Sequence, residues 1–443
     1  MTIIRSLAQT ALLAALVAAG AGCDLFEVED RTDPNGPSRD EVLANPSRPL
    51  LSAVAVGIEA TSRNGLNNYL TDVGVVGREY WVTSSADPRL TADLLGKGTS
   101  VLDNNTFYIT GPWAAHYRVV RNANTMLEGL ALNTTLSAAE KAGGSGWAKT
   151  WAAYAYLLNL NLTYEGGIRI LDVGADEAGP LLSYDASLAA IASLLDSGSA
   201  DLAAGGDAFF FPVSGGFAGF NTPATFRQVN RGLAARVALY RGNYADAGTR
   251  VAESFLSGAA DGATGAYHVF GTGSGDILNP FFLPPTNAAS GAHLAHPSFV
   301  ADAEAGDTRL GKVLDRGETL TFDGLSSNYT ENVYRVNTAP IPILRAAELR
   351  LIRAEVLART GGLSGAVDDL DAIRTAAGLA PYAGAVTEAA VLDEVLRQRR
   401  YELYAEGHRW IDMRRFGRLG QLPIDRPGDD VWEQFPIPLA EGS

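Results

Sequence analysis

The sequence predicts an all-α fold, a scaffold of helical hairpins carrying long irregular insertions, and three observations predict it. Apolar residues recur every three or four positions: Val119, Ala123, Met126, Leu127 and Leu130 share one helical face, and Trp147, Trp151, Tyr154, Leu158 and Leu162 another. Two later segments each read as helix, glycine break, helix. Two stretches without helical period, 74–111 and 258–345, are rich in turn-forming residues, and the second holds eleven glycines.

Taken in order, the chain begins with Arg5 and an apolar run from Ala11 to Ala19, followed by small residues and the only cysteine, Cys23. A charged start, a short apolar core and small residues make a secretory signal, and the run is too short to span a bilayer. Ala21-Gly22-Cys23 is similar to a bacterial lipobox, in which the cut falls before the cysteine and the cysteine carries the lipid. Residues 1–22 are therefore expected to be a lipoprotein signal peptide, and Cys23 the site of lipid attachment. Residues 23–49, acidic and then rich in Pro, Asn and Ser, read as a flexible tether, and 50–443 as a single domain.

Within that domain the first hairpin places Val229, Leu233, Val237 and Tyr240 on one helix and Tyr244, Ala247, Val251 and Phe255 on the next, across Gly242-Asn243. The second pairs Leu349, Ile352 and Val356 with Val367, Leu370 and Ile373 across Gly361-Gly362, and Gly378 ends it. Short helices paired around a glycine turn resemble tetratricopeptide repeats, although these two are not tandem. The formal net charge of -15 opposes nucleic-acid binding, which needs cationic surface against phosphates.

The stretch Arg397–Gly417, RQRRYELYAEGHRWIDMRRFG, concentrates six arginines with Glu402, Glu406, His408 and Asp412. Together with Ile341-Pro-Ile-Leu344, Arg345–Glu355, Ala366–Leu379 and Phe435-Pro-Ile-Pro438, it resembles the C-terminal half of the RagB/SusD family, a motif region of about 258–443. Tyr117–Asn124 and Trp151–Leu157 resemble its N-terminal helices. The resemblance implies a lipid-anchored protein of the cell outer membrane, facing outward, with a tetratricopeptide-like scaffold. It implies a partner, a SusC-like TonB-dependent transporter barrel, and a nutrient ligand, most often a glycan, otherwise a peptide or small metabolite. It implies neither catalysis nor a cofactor.

The residues themselves leave three chemistries to weigh. Glu402, Glu406 and His408 could serve an anchored glycan-active enzyme, but Arg399 and Arg409 stand three residues from Glu402 and Glu406, so the sequence favours a structural ion-pair network of Arg399, Glu402, Glu406 and Arg409. Arginines interleaved with Tyr401, Tyr404 and Trp410 could stack bases, a reading the acidic remainder and the apolar Leu396, Leu403 and Ile411 oppose. A polar ligand with apolar faces, such as a sugar, needs flat aromatic rings beside hydrogen-bonding groups. Tyr80, Trp81, Asp87 and Arg89 are the first candidates, and Tyr267, Asn328 and Tyr329 the second, while Trp113, Trp147, Trp151 and Trp410 read as core. Asp and Asn in the loops lack EF-hand spacing, which leaves bound calcium an open question.

Overall fold

The computed structural model describes residues 38–174 and 179–441, so the signal peptide, Cys23 and the tether up to residue 37 lie outside the described residues. Residues 38–49, read from composition as tether, instead join the fold. Ser38 and Glu41 form a capping box that starts α1 (Arg39–Ala44), and Val42 is buried against the scaffold. α2 (Arg48–Thr61) and α3 (Leu66–Val76) follow, then the short strand β1 (Tyr80–Val82).

The helices read from the apolar stripes are α4 (Phe107–Leu132) and α5 (Ala138–Thr163), joined by a turn and a second capping box from Ser137 and Glu140. The short strands β2 (Ile168–Arg169) and β3 (Leu181–Leu182) pair before α6 (Tyr184–Ala203), α7 (Pro223–Tyr240) and α8 (Tyr244–Glu253). Each helix from α4 to α8 packs on the one before it. α5 is buried around most of its circumference, and glycines let its neighbours approach: a Cβ on Gly146 would lie 2.4 Å from Leu202 Cγ of α6.

The chain then leaves the scaffold for β4 (Gly265–His268), β5 (His293–Ala295), the single-turn α9 (Ser298–Ala301), β6 (Val313–Phe322), β7 (Leu325–Glu331) and β8 (Ile341–Arg345). It returns as α10 (Ala346–Arg359), α11 (Leu363–Ala376), α12 (Glu388–Glu402) and α13 (Arg409–Arg415). α10 packs on α8, so the two hairpins separated in sequence are neighbours in space. The fold is thus the expected all-α, tetratricopeptide-like array, with its strands in the two insertions and, for β2 and β3, in the connection between α5 and α6.

Both irregular excursions meet in one antiparallel sheet of order β1-β5-β7-β6, where Trp81 faces Leu294 and Leu294 faces Thr330 across neighbouring strands. Among the described residues no helix is long and apolar enough to cross a membrane.

Candidate functional site

The arginine-rich stretch builds the seam between α10, α12 and α13, with partners other than those its spacing suggests. Arg399 pairs with Asp412 at 2.7 Å, not with Glu402. Glu402 and Glu406 are both clamped by Arg345, at 2.7 Å each, from the end of β8. The reason is the turn at 403–408: Ala405 and Gly407 adopt positive φ, which ends α12 and carries Glu406 off its face. Arg415 binds Glu355 at 2.9 Å, and Arg236 binds Glu348 at 2.6 Å. Burial pushes His408 down to about 4, so it is uncharged at neutral pH. Burial also disfavours the Glu402 carboxylate, but Arg345 and Lys312 beside it hold its carboxyl below the usual range. Neither group is poised as a general acid. Arg409 is the exception: no hydrogen bond or ion pair reaches it among the described residues.

The ligand candidates drawn from the loops do not converge. Tyr80 is fully buried and its hydroxyl donates to the Leu70 carbonyl at 2.7 Å. Trp81 is 3% exposed, its Nε1 donates to Asp425 Oδ2 at 3.0 Å, and its ring meets that of His296. The expected aromatic platform is therefore core, because β1 is covered on both faces once it joins the sheet. Asp87 and Arg89 form a two-pronged pair with one another at 2.8 Å on an exposed loop. Asn328 and Tyr329 lie on β7 in the same sheet as Trp81, whereas half-buried Tyr267 lies on β4 in another. Among the described residues no group of three or more His, Cys, Asp or Glu is placed to hold a metal ion.

A concave site forms elsewhere, on the outer face of α4. A groove of about 350 Å³ is lined by Thr110, Trp113, Tyr117, Arg118, Arg121 and Arg169, with Leu171 and Glu441 closing it. Its floor is rigid. The Trp113 and Tyr117 rings lie 4.9 Å apart, Trp113 Nε1 donates to Glu441 Oε1 at 3.2 Å, and Tyr117 donates to the Arg169 carbonyl at 2.8 Å. Arg169 is spent internally: its guanidinium donates to Glu441 Oε2 at 3.0 Å, to the Glu441 carbonyl at 2.8 Å and to the Gly179 carbonyl at 2.7 Å. Arg118 and Arg121, one helical turn apart and exposed, have no partner among the described residues. Ten donors are thus free above an apolar aromatic floor. Their i,i+3 spacing opposite the Val119-Ala123-Met126 stripe was the one sequence signal for this face; the contributions of Arg169 and Glu441 come from remote chain and left none.

The model described as the SusD family matches residues 321–435. A SusD superfamily protein from Parabacteroides distasonis is similar in fold, with a TM-score of 0.67 and 19% identity, over 90% of this chain and 97% of that one. Surface glycan-binding protein A from Bacteroides thetaiotaomicron, in complex with laminarihexaose, gives a TM-score of 0.69 at 14% identity over 88% of this chain and 96% of that one. A SusD-like carbohydrate binding protein from Bacteroides vulgatus gives 0.61 at 18% identity, over 83% of both chains. None of the curated proteins matches the chain in sequence.

Proposed function

We propose, for a chain that belongs to the SusD/RagB family, that it captures a glycan in the α4 groove without reacting with it. The observation that carries this reading is the combination of a fixed aromatic floor, Trp113 and Tyr117, with the uncommitted guanidinium groups of Arg118 and Arg121. The C–H faces of a sugar ring seat on the faces of aromatic rings, and its hydroxyls take hydrogen bonds from donors that no acceptor of the protein occupies. The structural relative that holds laminarihexaose supports an oligosaccharide as the ligand class.

The rest of the assignment follows the family likeness. The protein is anchored by lipid on Cys23 to the outer membrane, faces outward, and passes its ligand to a SusC-like TonB-dependent transporter. Co-purification of a large barrel from detergent-extracted membranes tests that partner.

Calorimetry of the purified protein against an oligosaccharide panel that includes laminarihexaose tests the ligand class. One glycan is expected to bind, and the double substitution Arg118→Ala/Arg121→Ala to weaken it by about tenfold or more, given about 1.5–3 kcal/mol for each charged hydrogen bond. Shortened products in the cell would support an enzyme instead. Binding of peptides with no glycan response would move the ligand class to peptides.

A further inference from the structure

Arg409 stands on the first turn of α13 at the floor of a second groove, of about 530 Å³, formed by α12 and the 382–385 loop. Three arginines line it, Arg397, Arg400 and Arg409, together with Asp302, Asp393 and Glu394. Charge counting on the lining alone gives balance, but the partners do not. Asp302 binds Arg400 at 2.8 Å, Asp393 pairs with Arg418 outside the lining, and Glu394 binds Arg374 at 2.6 Å, also from outside. All three carboxylates are therefore spent, and one of the arginines with them.

Of the remaining two, Arg397 is exposed and makes one hydrogen bond, to the Asp302 carbonyl at 3.0 Å. Arg409 has none. Its Nε is sealed from solvent without an acceptor, and no acceptor reaches its other nitrogens. Tyr401, a lining residue only 1% exposed, also has a buried hydroxyl with no partner. Buried polar groups are almost always paired, and a guanidinium more strictly than most. Two acidic neighbours act on Arg409 from a distance: Glu79, itself pushed up by burial to about 8 so that it brings little charge at neutral pH, and Asp412, which is already held by Arg399 at 2.7 Å and Arg415 at 2.9 Å. Burial and the nearby Arg400 push Arg409 down to about 10, which leaves it cationic.

We infer that this groove binds the carboxylate of an acidic sugar, with Arg409 and Arg397 taking the anionic group and Tyr401 donating to it. The guanidinium fork matches a carboxylate, and the open rim leaves room for the ring that bears it. This site is separate from the α4 groove and does not depend on the ligand bound there.

Saturation-transfer NMR on the full protein at fixed ionic strength tests it, with sodium glucuronate, glucose and sodium sulfate as the probes. Transfer to glucuronate, competed by sulfate, and none to glucose is the expected result. Arg409→Gln should weaken glucuronate at least tenfold, and Arg397→Ala, an exposed change that leaves folding intact, about threefold to tenfold, since each removes a charge-assisted contact. The measurements are repeated in the Arg118→Ala/Arg121→Ala background, where any transfer through the α4 groove is removed and the remaining glucuronate signal belongs to the second groove. Arg409→Gln also supplies a readout that a purely structural arginine would not: its ligand-free melting temperature should hold or rise. Equal transfer to glucose, no transfer to glucuronate, or unchanged glucuronate binding in both Arg409→Gln and Arg397→Ala would overturn the proposal.

Discussion

Arg345→Met is the sharpest test of the ionic seam. Among the described residues Arg345 is the one ion-pair and hydrogen-bond partner of the Glu406 side chain, with contacts of 2.7 to 3.0 Å, and it also holds Glu402 at 2.7 Å; the three side chains are between 6% and 18% exposed. Removing the arginine leaves two buried carboxylates, and breaking such a pair from one side costs about 3–5 kcal/mol. The two carboxylates are not left equal. Glu402 keeps Arg309 at 3.7 Å, and Lys312 lies against its carbonyl, whereas Glu406 keeps no ion pair or hydrogen bond among the described residues and only the more distant charge of Lys312. Glu406→Gln added to Arg345→Met should therefore recover most of the loss, and Glu402→Gln only a minor part. Urea unfolding followed by tryptophan fluorescence reads the effect, since buried Trp410 belongs to the same seam. A loss below about 1 kcal/mol, the value of a surface pair, would refute the reasoning. So would equal rescue by either glutamine.

Stability should also fall in acid. Burial pushes His116 and His408 down to about 4 and His268 and His293 down to about 3, so the unfolded chain binds protons that the native one refuses below about pH 6.5. Glu79 and Glu331, pushed up by burial to about 8 and about 7, act in the opposite sense as pH rises from about 4.5 toward those values, and burial raises Asp72 in the same sense. The expected profile is shallow between pH 5.5 and 7 and steep below about 4.5, where Glu348, held near 2 by Arg236 against its burial, adds to the loss; urea midpoints that rise from pH 5 to 4 would contradict it. Gly146→Ala should destabilise by about 1–3 kcal/mol in thermal unfolding despite a helix-propensity gain of about 1 kcal/mol, because of its contact with Leu202. Mass spectrometry of the membrane-bound protein should find an N-terminal Cys23 carrying acyl chains, and a mature chain that begins elsewhere would remove the anchor.

The scaffold was legible because its signals are local. Val119 to Leu130 and Trp147 to Leu162 repeat at helical spacing, and Gly242, Gly361 and Gly378 all adopt the positive φ that their place after a helix demands. What local signals omit is pairing across distance. Nothing in Tyr80-Trp81 announces that His293–Ala295 will cover them, or that Asp425 will take the indole proton. Likewise, i,i+3 arithmetic pairs Arg399 with Glu402 and Glu406 with Arg409, but α12 ends at Glu402, positive φ at Ala405 and Gly407 breaks the register between Glu406 and Arg409, and Arg345, more than fifty residues earlier, takes both glutamates. The two grooves share that origin. Each is assembled from segments far apart in the chain, and each is marked by arginines whose lack of a partner only the folded structure reveals.

The central claim, a glycan held in the α4 groove, is tested most directly by a crystal structure of the protein with the oligosaccharide that calorimetry selects. The account predicts sugar density over Trp113 and Tyr117 with hydroxyls within hydrogen-bonding distance of Arg118 and Arg121. Density for the same ligand on another face, with an empty α4 groove, would contradict it.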